Sequence, residues 1–186
     1  MVDIKINKNN LTWYFILLIC VLGLFFLYKN QLKIDDDLKK NGIKTTGYSI
    51  VKDSSPLAYK QRQLVRWVYS IDGKNYRRKK TKSSSIKLEN YEYYTIYYNT
   101  KDKEEIFVDY TEFILKGVYS NTESILVEKI ALNKKDIYFK YIVDNIEYER
   151  YQKVKLGLTD DLTKKYLVKY NVTNPKIGYI YLDSIR

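Results

Sequence analysis

Apolar and polar positions along this chain follow two different patterns. From Asn9 to Tyr28 no residue carries a charge, and Leu11–Tyr28 is almost wholly apolar. At about 1.5 Å of rise per residue, that run spans roughly 27 Å as a helix, close to the hydrocarbon thickness of a bilayer. Beyond residue 45 the period changes to two. Val65, Trp67, Tyr69 and Ile71 alternate with Arg66, Val68 and Ser70, and Phe139, Tyr141 and Val143 alternate with Tyr138, Lys140 and Ile142. Such alternation predicts strands with one strongly apolar face.

The strand signals recur in the same order. Thr46–Val51 reads as a first strand, and Lys52–Ala58, with Pro56, as a loop. The alternating strand ends at Asp72-Gly73, a pair suited to a two-residue hairpin turn because both central residues need positive φ. Lys74–Lys82 returns, Ser83–Asn90 is a loop or short turn, Tyr93–Asn99 is the next strand, Thr100–Lys103 turns, and Glu105–Tyr110 closes the unit. With an offset of 72, Trp67–Asn99 aligns without gaps on Phe139–Asn171, giving seven identities in 33 positions: Tyr69/Tyr141, Asp72/Asp144, Tyr76/Tyr148, Arg78/Arg150, Tyr94/Tyr166, Tyr98/Tyr170 and Asn99/Asn171. Lys116–Ser120 aligns on Thr46–Ile50 with an offset of 70. The expected fold is mainly β: an N-terminal single transmembrane helix followed by two similar five-stranded units of about 70 residues, each barrel-like or a bent sheet. The boundaries are a tail at 1–10, a transmembrane helix at 11–28, a juxtamembrane connector at 29–44, and β repeats at 45–114 and 115–186.

The flanks of the apolar run favour an anchor over a cleaved signal peptide. Trp13, Tyr14 and Tyr28 stand where interfacial aromatics belong, and Lys29 and Lys33 follow. No Ala precedes Ala58, and the bulky Ile19 before Cys20 argues against a lipoprotein cleavage site. Lys5 and Lys8 lie on one side of the run and Lys29, Lys33, Lys39, Lys40 and Lys44 on the other, which favours a cell-membrane protein with a cytoplasmic C-terminal domain, although long domains translocate regardless of such charge. Residues 29–44 can extend the helix, with Gly42 as its stop. The triplet Asp35–Asp37 reads as a solvated charge run, since consecutive helical side chains point to different faces.

Composition removes several chemistries. The chain has no His, and Cys20 is its only Cys, so a Cys/His zinc site, an imidazole-activated nucleophile and an intrachain disulfide are excluded. No phosphate-binding Gly-rich loop, dinucleotide turn or Gly-x-Ser-x-Gly is present. Asp160 and Asp161, with Glu147 and Glu149, are candidates for paired carboxylates, but the sequence gives no convergence between them and no pocket glycine. No enzyme activity, cofactor, metal or small-molecule substrate is expected.

A net charge of +11 points to anionic neighbours, and the sharpest local feature is Arg77-Arg78-Lys79-Lys80-Thr81-Lys82. Arg77, Arg78, Lys79, Lys80 and Lys82 are the candidate anionic-surface or partner-binding residues. A strand basic on both faces is an edge protected from aggregation, a contact for anionic lipid, or a phosphate-binding strand that uses Trp67 and nearby Tyr to stack on bases. The second copy, Glu149–Lys155, lacks the cluster.

Trp67–Gly73, Lys169-Tyr-Asn-Val-Thr-Asn-Pro175 and Ile180-Tyr-Leu-Asp183 resemble the elements of a loosely defined bacterial family of membrane-anchored small β-domains of unknown function, here in tandem. The first copy departs at Asn99–Glu104, which lacks the proline, and neither copy carries the Gly such families often place before the Tyr-Asn strand. The resemblance implies a fold and no activity. The expected role is a non-enzymatic binding or scaffolding module for a protein partner or the membrane surface, with the bilayer engaged through residues 11–28; the alternative is a membrane-tethered nucleic-acid-binding domain using the basic hairpin.

Overall fold

The computed structural model describes residues 8–52, 63–82, 86–130, 136–154 and 163–185, with only the backbone described at 8–12, 63, 79–82, 184 and 185. Lys5, the loop around Pro56, and Asp160 and Asp161 lie outside the described residues.

Helix α1 runs from Lys8 to Asn41. Its end is closed by the Gly42 N–H, which donates to the Leu38 carbonyl at 2.9 Å. The segment Trp13–Asn41 is long and apolar enough to cross a membrane, and every residue from Trp13 to Tyr28 is exposed. A helix of a soluble core would bury one face against protein; Trp13–Tyr28 buries none. The polar continuation to Asn41 is held by side-chain bonds one turn apart, Gln31 to Asp35 at 2.9 Å and Asn41 to Asp37 at 2.6 Å. The acids of the triplet thus serve the helix surface.

Ile43–Arg186 forms one compact unit. Its first sheet comprises β1 (Ile43–Lys52), β2 (Gln63–Ile71), β3 (Lys74–Lys82), β4 (Tyr93–Tyr98) and β5 (Ile106–Ile114). Its second comprises β6 (Tyr119–Lys129), β7 (Asp136–Val143), β8 (Ile146–Lys153), β9 (Tyr166–Asn171) and β10 (Gly178–Ile185). Both are antiparallel, with orders β3-β2-β1-β4-β5 and β10-β9-β6-β7-β8, which are the same topology.

The register carries the likeness further. Pairing of β4 with β5 slips between Tyr94 and Thr95, so that Tyr94 faces Phe113 while Thr95 faces Asp109. Pairing of β9 with β10 slips at the equivalent place: Tyr166 faces Ile185 while Leu167 faces Tyr181. A bulge of this size bends a sheet sharply, and both sheets bend at the same point. Both hairpins use the turn that twists with the strands, with φ of 50° and 75° at Asp72-Gly73 and 51° and 64° at Asp144-Asn145.

Register also corrects the first-strand alignment. Gly47 faces Tyr69 on β2 and Tyr94 on β4. In the second sheet Ser124 faces Tyr141, and its Oγ accepts the Tyr166 N–H at 2.9 Å. The counterpart of Gly47 is therefore Ser124, not Gly117, which precedes β6 with φ of 101°. The correct offset is 77 up to Ser124, and a bulge between Ser124 and Leu126 then adds one residue. The Gly-x-Tyr pattern matched by composition, whereas pairing is decided by which residue faces the two tyrosines.

The predicted inward face of β2 is the centre of one core cluster: Val65, Trp67, Tyr69 and Ile71 are all buried. That cluster also includes Ile177 and Tyr179 from the second half, so the two sheets share it. Phe113 of β5 stacks on Tyr179 of β10 at 4.1 Å and 4°. A second cluster gathers Val127, Ile137, Phe139, Tyr141, Tyr166 and Val168. In each sheet the tyrosine of the alternating strand reaches the β4–β5 or β9–β10 turn: Tyr69 Oη donates to the Lys103 carbonyl at 2.7 Å, and Tyr141 Oη donates to the equivalent carbonyl of Pro175. Asn99 and Asn171 open these two turns, their side-chain oxygens accepting the N–H of Lys101 and Thr173 at 2.9 and 3.0 Å.

Candidate functional site

The basic run forms β3, which pairs with β2 on one side and is the edge of the first sheet. Arg77 faces Val68 and Arg78 faces Trp67, so the two arginines stand on opposite faces. Arg77 is exposed. Arg78 meets Glu104 at 3.3 Å and is 48% exposed. Lys79, Lys80 and Lys82 occupy the register positions opposite Arg66, Val65 and Gln63, and their side chains lie outside the described residues.

Trp67 does not join this surface. It is 0% exposed, with its ring edge-on to Tyr94 at 5.8 Å and to Tyr110 at 5.9 Å, so it cannot stack on a base. The aromatic residues that do share a face with Arg77 were not singled out by sequence. Register places Arg77, Val68, Tyr48, Tyr93 and Ile114 in one row across all five strands, on the face opposite Trp67 and Tyr69; Val68 in this row is itself buried, and Tyr48, Tyr93 and Ile114 are half-buried. Arg66, opposite Ile50 and Lys79, lies on the same face. Tyr48 contacts Tyr93 at 5.4 Å between ring centres and stacks on Tyr91 at 5.7 Å, while the Lys116 ammonium sits 4.7 Å above the Tyr93 ring.

Tyr91 is the unusual member. It is 64% exposed, and its φ of 64° is one that non-glycine residues rarely adopt. The turn that carries it is pinned to β1. The Tyr91 N–H donates to the Ser49 carbonyl at 2.8 Å, the Ser49 N–H donates to the Glu92 carbonyl at 3.0 Å, and the Ser49 hydroxyl donates to the Glu89 carbonyl at 2.6 Å. The Val51 N–H donates to the Asn90 side chain at 2.7 Å.

Glu92 fastens the turn from beneath. Its side chain is fully buried; Oε1 accepts the Glu89 N–H at 2.6 Å, and Oε2 accepts the hydroxyls of Tyr94 at 3.1 Å and Tyr179 at 3.0 Å. Arg150 of β8, 5% exposed, donates from Nη2 to both oxygens at 3.0 and 2.8 Å. Burial pulls the Arg150 guanidinium down, but the charge and hydrogen bonds of Glu92 outweigh it and hold the group above its ordinary value. Burial first, and then the Glu92 charge, push the phenols of Tyr94 and Tyr179 well up, so both stay neutral donors. Both Glu92 oxygens are thus occupied by donors, while Arg150 Nε is buried without a hydrogen-bond partner.

The second sheet arranges the matching outer surface differently. At the register position of Val68 and Arg77 stand Lys140 and Glu149. There Lys140 pairs with Glu147 at 2.6 Å, Glu149 accepts the Tyr138 hydroxyl at 2.8 Å, and Lys165 meets Glu123 at 3.7 Å. These charges compensate one another, although Lys169 of β9 sits 5.1 Å over the Tyr181 ring with no acid partner among the described residues; no acid among those residues pairs with Arg66 or Arg77 either. Among the described residues there is also no group of three or more acids and cysteines that could hold a metal ion.

Comparison with protein-family models, with curated proteins and with solved structures returns no match.

Proposed function

We propose that the chain is a membrane-anchored, non-catalytic binding module whose contact surface is the outer face of the first sheet together with its β3 edge. The observation that carries the reading is a local asymmetry between two sheets of identical topology: where the second places the mutually bonded Lys140, Glu147, Glu149 and Tyr138, the first leaves Arg66 and Arg77 without an acidic partner among the described residues, beside the exposed Tyr91 and the half-buried Tyr48 and Tyr93. Charge that a fold does not use internally, placed next to exposed aromatic area, suits an external anionic partner.

The helix α1 supplies the anchor in this reading, as a single span of the cell membrane with the β unit on the cytoplasmic side. The test uses the full chain in nanodiscs of zwitterionic lipid, titrated with anionic vesicles, an oligothymidylate and polyglutamate. Salt-sensitive retention of at least one anion, reduced by Arg66→Gln and Arg77→Gln together, is the expected result. Unchanged retention in that double variant removes the outer face as the binding surface. A reporter fused after the last residue gives the orientation, and activity only outside the cytoplasm overturns the cytoplasmic placement.

A further inference from the structure

We infer that the occupant of this face is an anionic lipid surface, with Tyr91 entering the headgroup layer and Arg66, Arg77 and Lys116 meeting lipid phosphate. The inference rests on the binding-face reading above and names its partner.

Three features of the face select lipid. Three of its cations lack an acidic partner among the described residues: Arg66, Arg77 and Lys116, the last sitting over the Tyr93 ring, whereas Lys44 on the same face pairs with Glu112 at 3.6 Å. Its exposed aromatic surface is concentrated in one protruding residue. Tyr48 and Tyr93 are half-buried and lie against other rings, so Tyr91 alone offers a broad free surface. A single strand of nucleic acid is gripped by successive bases on successive rings, and this face offers one such ring. A phenol that is apolar in its body and polar at its tip, flanked by arginine and lysine, suits the bilayer interface instead.

The third feature is conformational. Tyr91 is held out in a left-handed backbone by bonds to Ser49, and the turn is locked from below by Glu92 and Arg150. An L-residue with a large side chain gains nothing locally from that geometry, and such outliers persist where the surroundings enforce them. With the 72-residue offset, the residue corresponding to Tyr91 in the second copy is Thr163, and that copy also lacks the arginine run. The strained tyrosine and the unpaired arginines thus occur together in the first copy, and the second has neither among the described residues.

The test uses the full chain in phosphatidylcholine nanodiscs, floated with vesicles of phosphatidylcholine alone or mixed with phosphatidylglycerol. A bimane probe at residue 91, introduced as Tyr91→Cys on a Cys20→Ser background, reads insertion against nitroxide-headgroup lipid. The expected result is retention by the anionic vesicles only, declining as salt rises, with probe quenching on binding. Arg66→Gln and Arg77→Gln each weaken retention by about fivefold, the value of roughly one basic contact at such a surface. Tyr91→Asn, which tolerates the same backbone, weakens retention while leaving thermal unfolding in place. Equal retention by neutral vesicles, or binding without quenching at residue 91, overturns the lipid assignment. If oligothymidylate or polyglutamate is retained through the same arginines and lipid is not, the face is a binding face and lipid is the wrong occupant. If none of the three anions is retained, both the face and its occupant are refuted.

Discussion

Arg150 on β8 donates to both carboxylate oxygens of Glu92, a residue 58 positions earlier that stands just before β4 in the other sheet. The pair ties the second sheet to the turn that presents Tyr91. Arg150 has the same register position in its sheet that Arg78 has in the first, opposite Phe139 and Trp67 respectively. One arginine became an intersheet lock, and the other a surface contact to Glu104.

Removing one partner of the buried pair leaves an uncompensated charge. Arg150→Met is expected to cost about 3–5 kcal/mol, and Glu92→Gln with Arg150→Met to recover a large part of it. Arg78→Gln, at an exposed ion pair, is expected to change stability by about 1 kcal/mol or less. Urea unfolding of the full chain in detergent, followed by circular dichroism, gives all three values. Equal losses for Arg78→Gln and Arg150→Met would mean that the buried pair carries no special weight.

Alkaline pH should loosen the β unit. Burial, followed by the charge of Glu104, pushes the Tyr69 phenol up to about 12, and Tyr94 and Tyr179 are raised as well. An unfolded tyrosine loses its proton near pH 10. Between about pH 10 and about pH 12 the folded state therefore holds protons that the unfolded state has released, so stability is present in full below that window and falls as pH rises through it. Phenolate absorbance should show a late-titrating fraction, reduced in Tyr69→Phe. A single transition near pH 10 in the folded protein contradicts this.

The turn contacts made by Tyr69 and Tyr141 should be worth similar amounts in the two sheets. Each hydroxyl donates to one turn carbonyl, of Lys103 or Pro175. Tyr69→Phe and Tyr141→Phe are each expected to cost about 0.5–1.5 kcal/mol and to add when combined, since they share no partner. Chemical denaturation of the two single variants and the double variant measures this. A double loss far from the sum shows that the two turns are coupled.

What could be read in the sequence was what local chemistry decides. The alternation of Val65 to Ile71, the Asp72-Gly73 turn, the end of α1 before Gly42 and the 72-residue offset each depend on neighbours in the chain. The outer face did not declare itself, because Tyr48, Tyr91 and Arg77 come from three separate segments and meet only through strand pairing. Glu92 looked like an ordinary charged residue beside a loop, and Arg150 like a repeat identity, until the two sheets packed. Trp67 shows the opposite error. Its nearness in sequence to the basic run suggested a shared surface, yet as a member of the inward set of β2 it had to be buried. The alternation alone was sufficient to say so.

The displaced alignment of the first strand leads to a last expectation. At Gly47 an added Cβ would lie 2.2 Å from Ile96 Cδ1, 3.0 Å from the Val68 carbonyl oxygen and 3.1 Å from Tyr69 Cβ. The isoleucine methyl can rotate away; the carbonyl and the tyrosine stem are fixed by the β1–β2 ladder. Ser124 fits at the same register position in the second sheet because β6 bulges directly after it, and its hydroxyl oxygen accepts the Tyr166 N–H. The first sheet runs through Gly47 with unbroken pairing to β2. Gly47→Ala is therefore expected to cost about 1–3 kcal/mol through overpacking, and Gly47→Ser at least as much. Ser124→Gly should lose about 1 kcal/mol through its missing acceptor, without relieving any clash. Thermal unfolding of the three variants checks the set. A Gly47→Ser variant as stable as the parent would mean that β1 can adopt the β6 bulge, and that the difference between the sheets at this point is one of sequence alone.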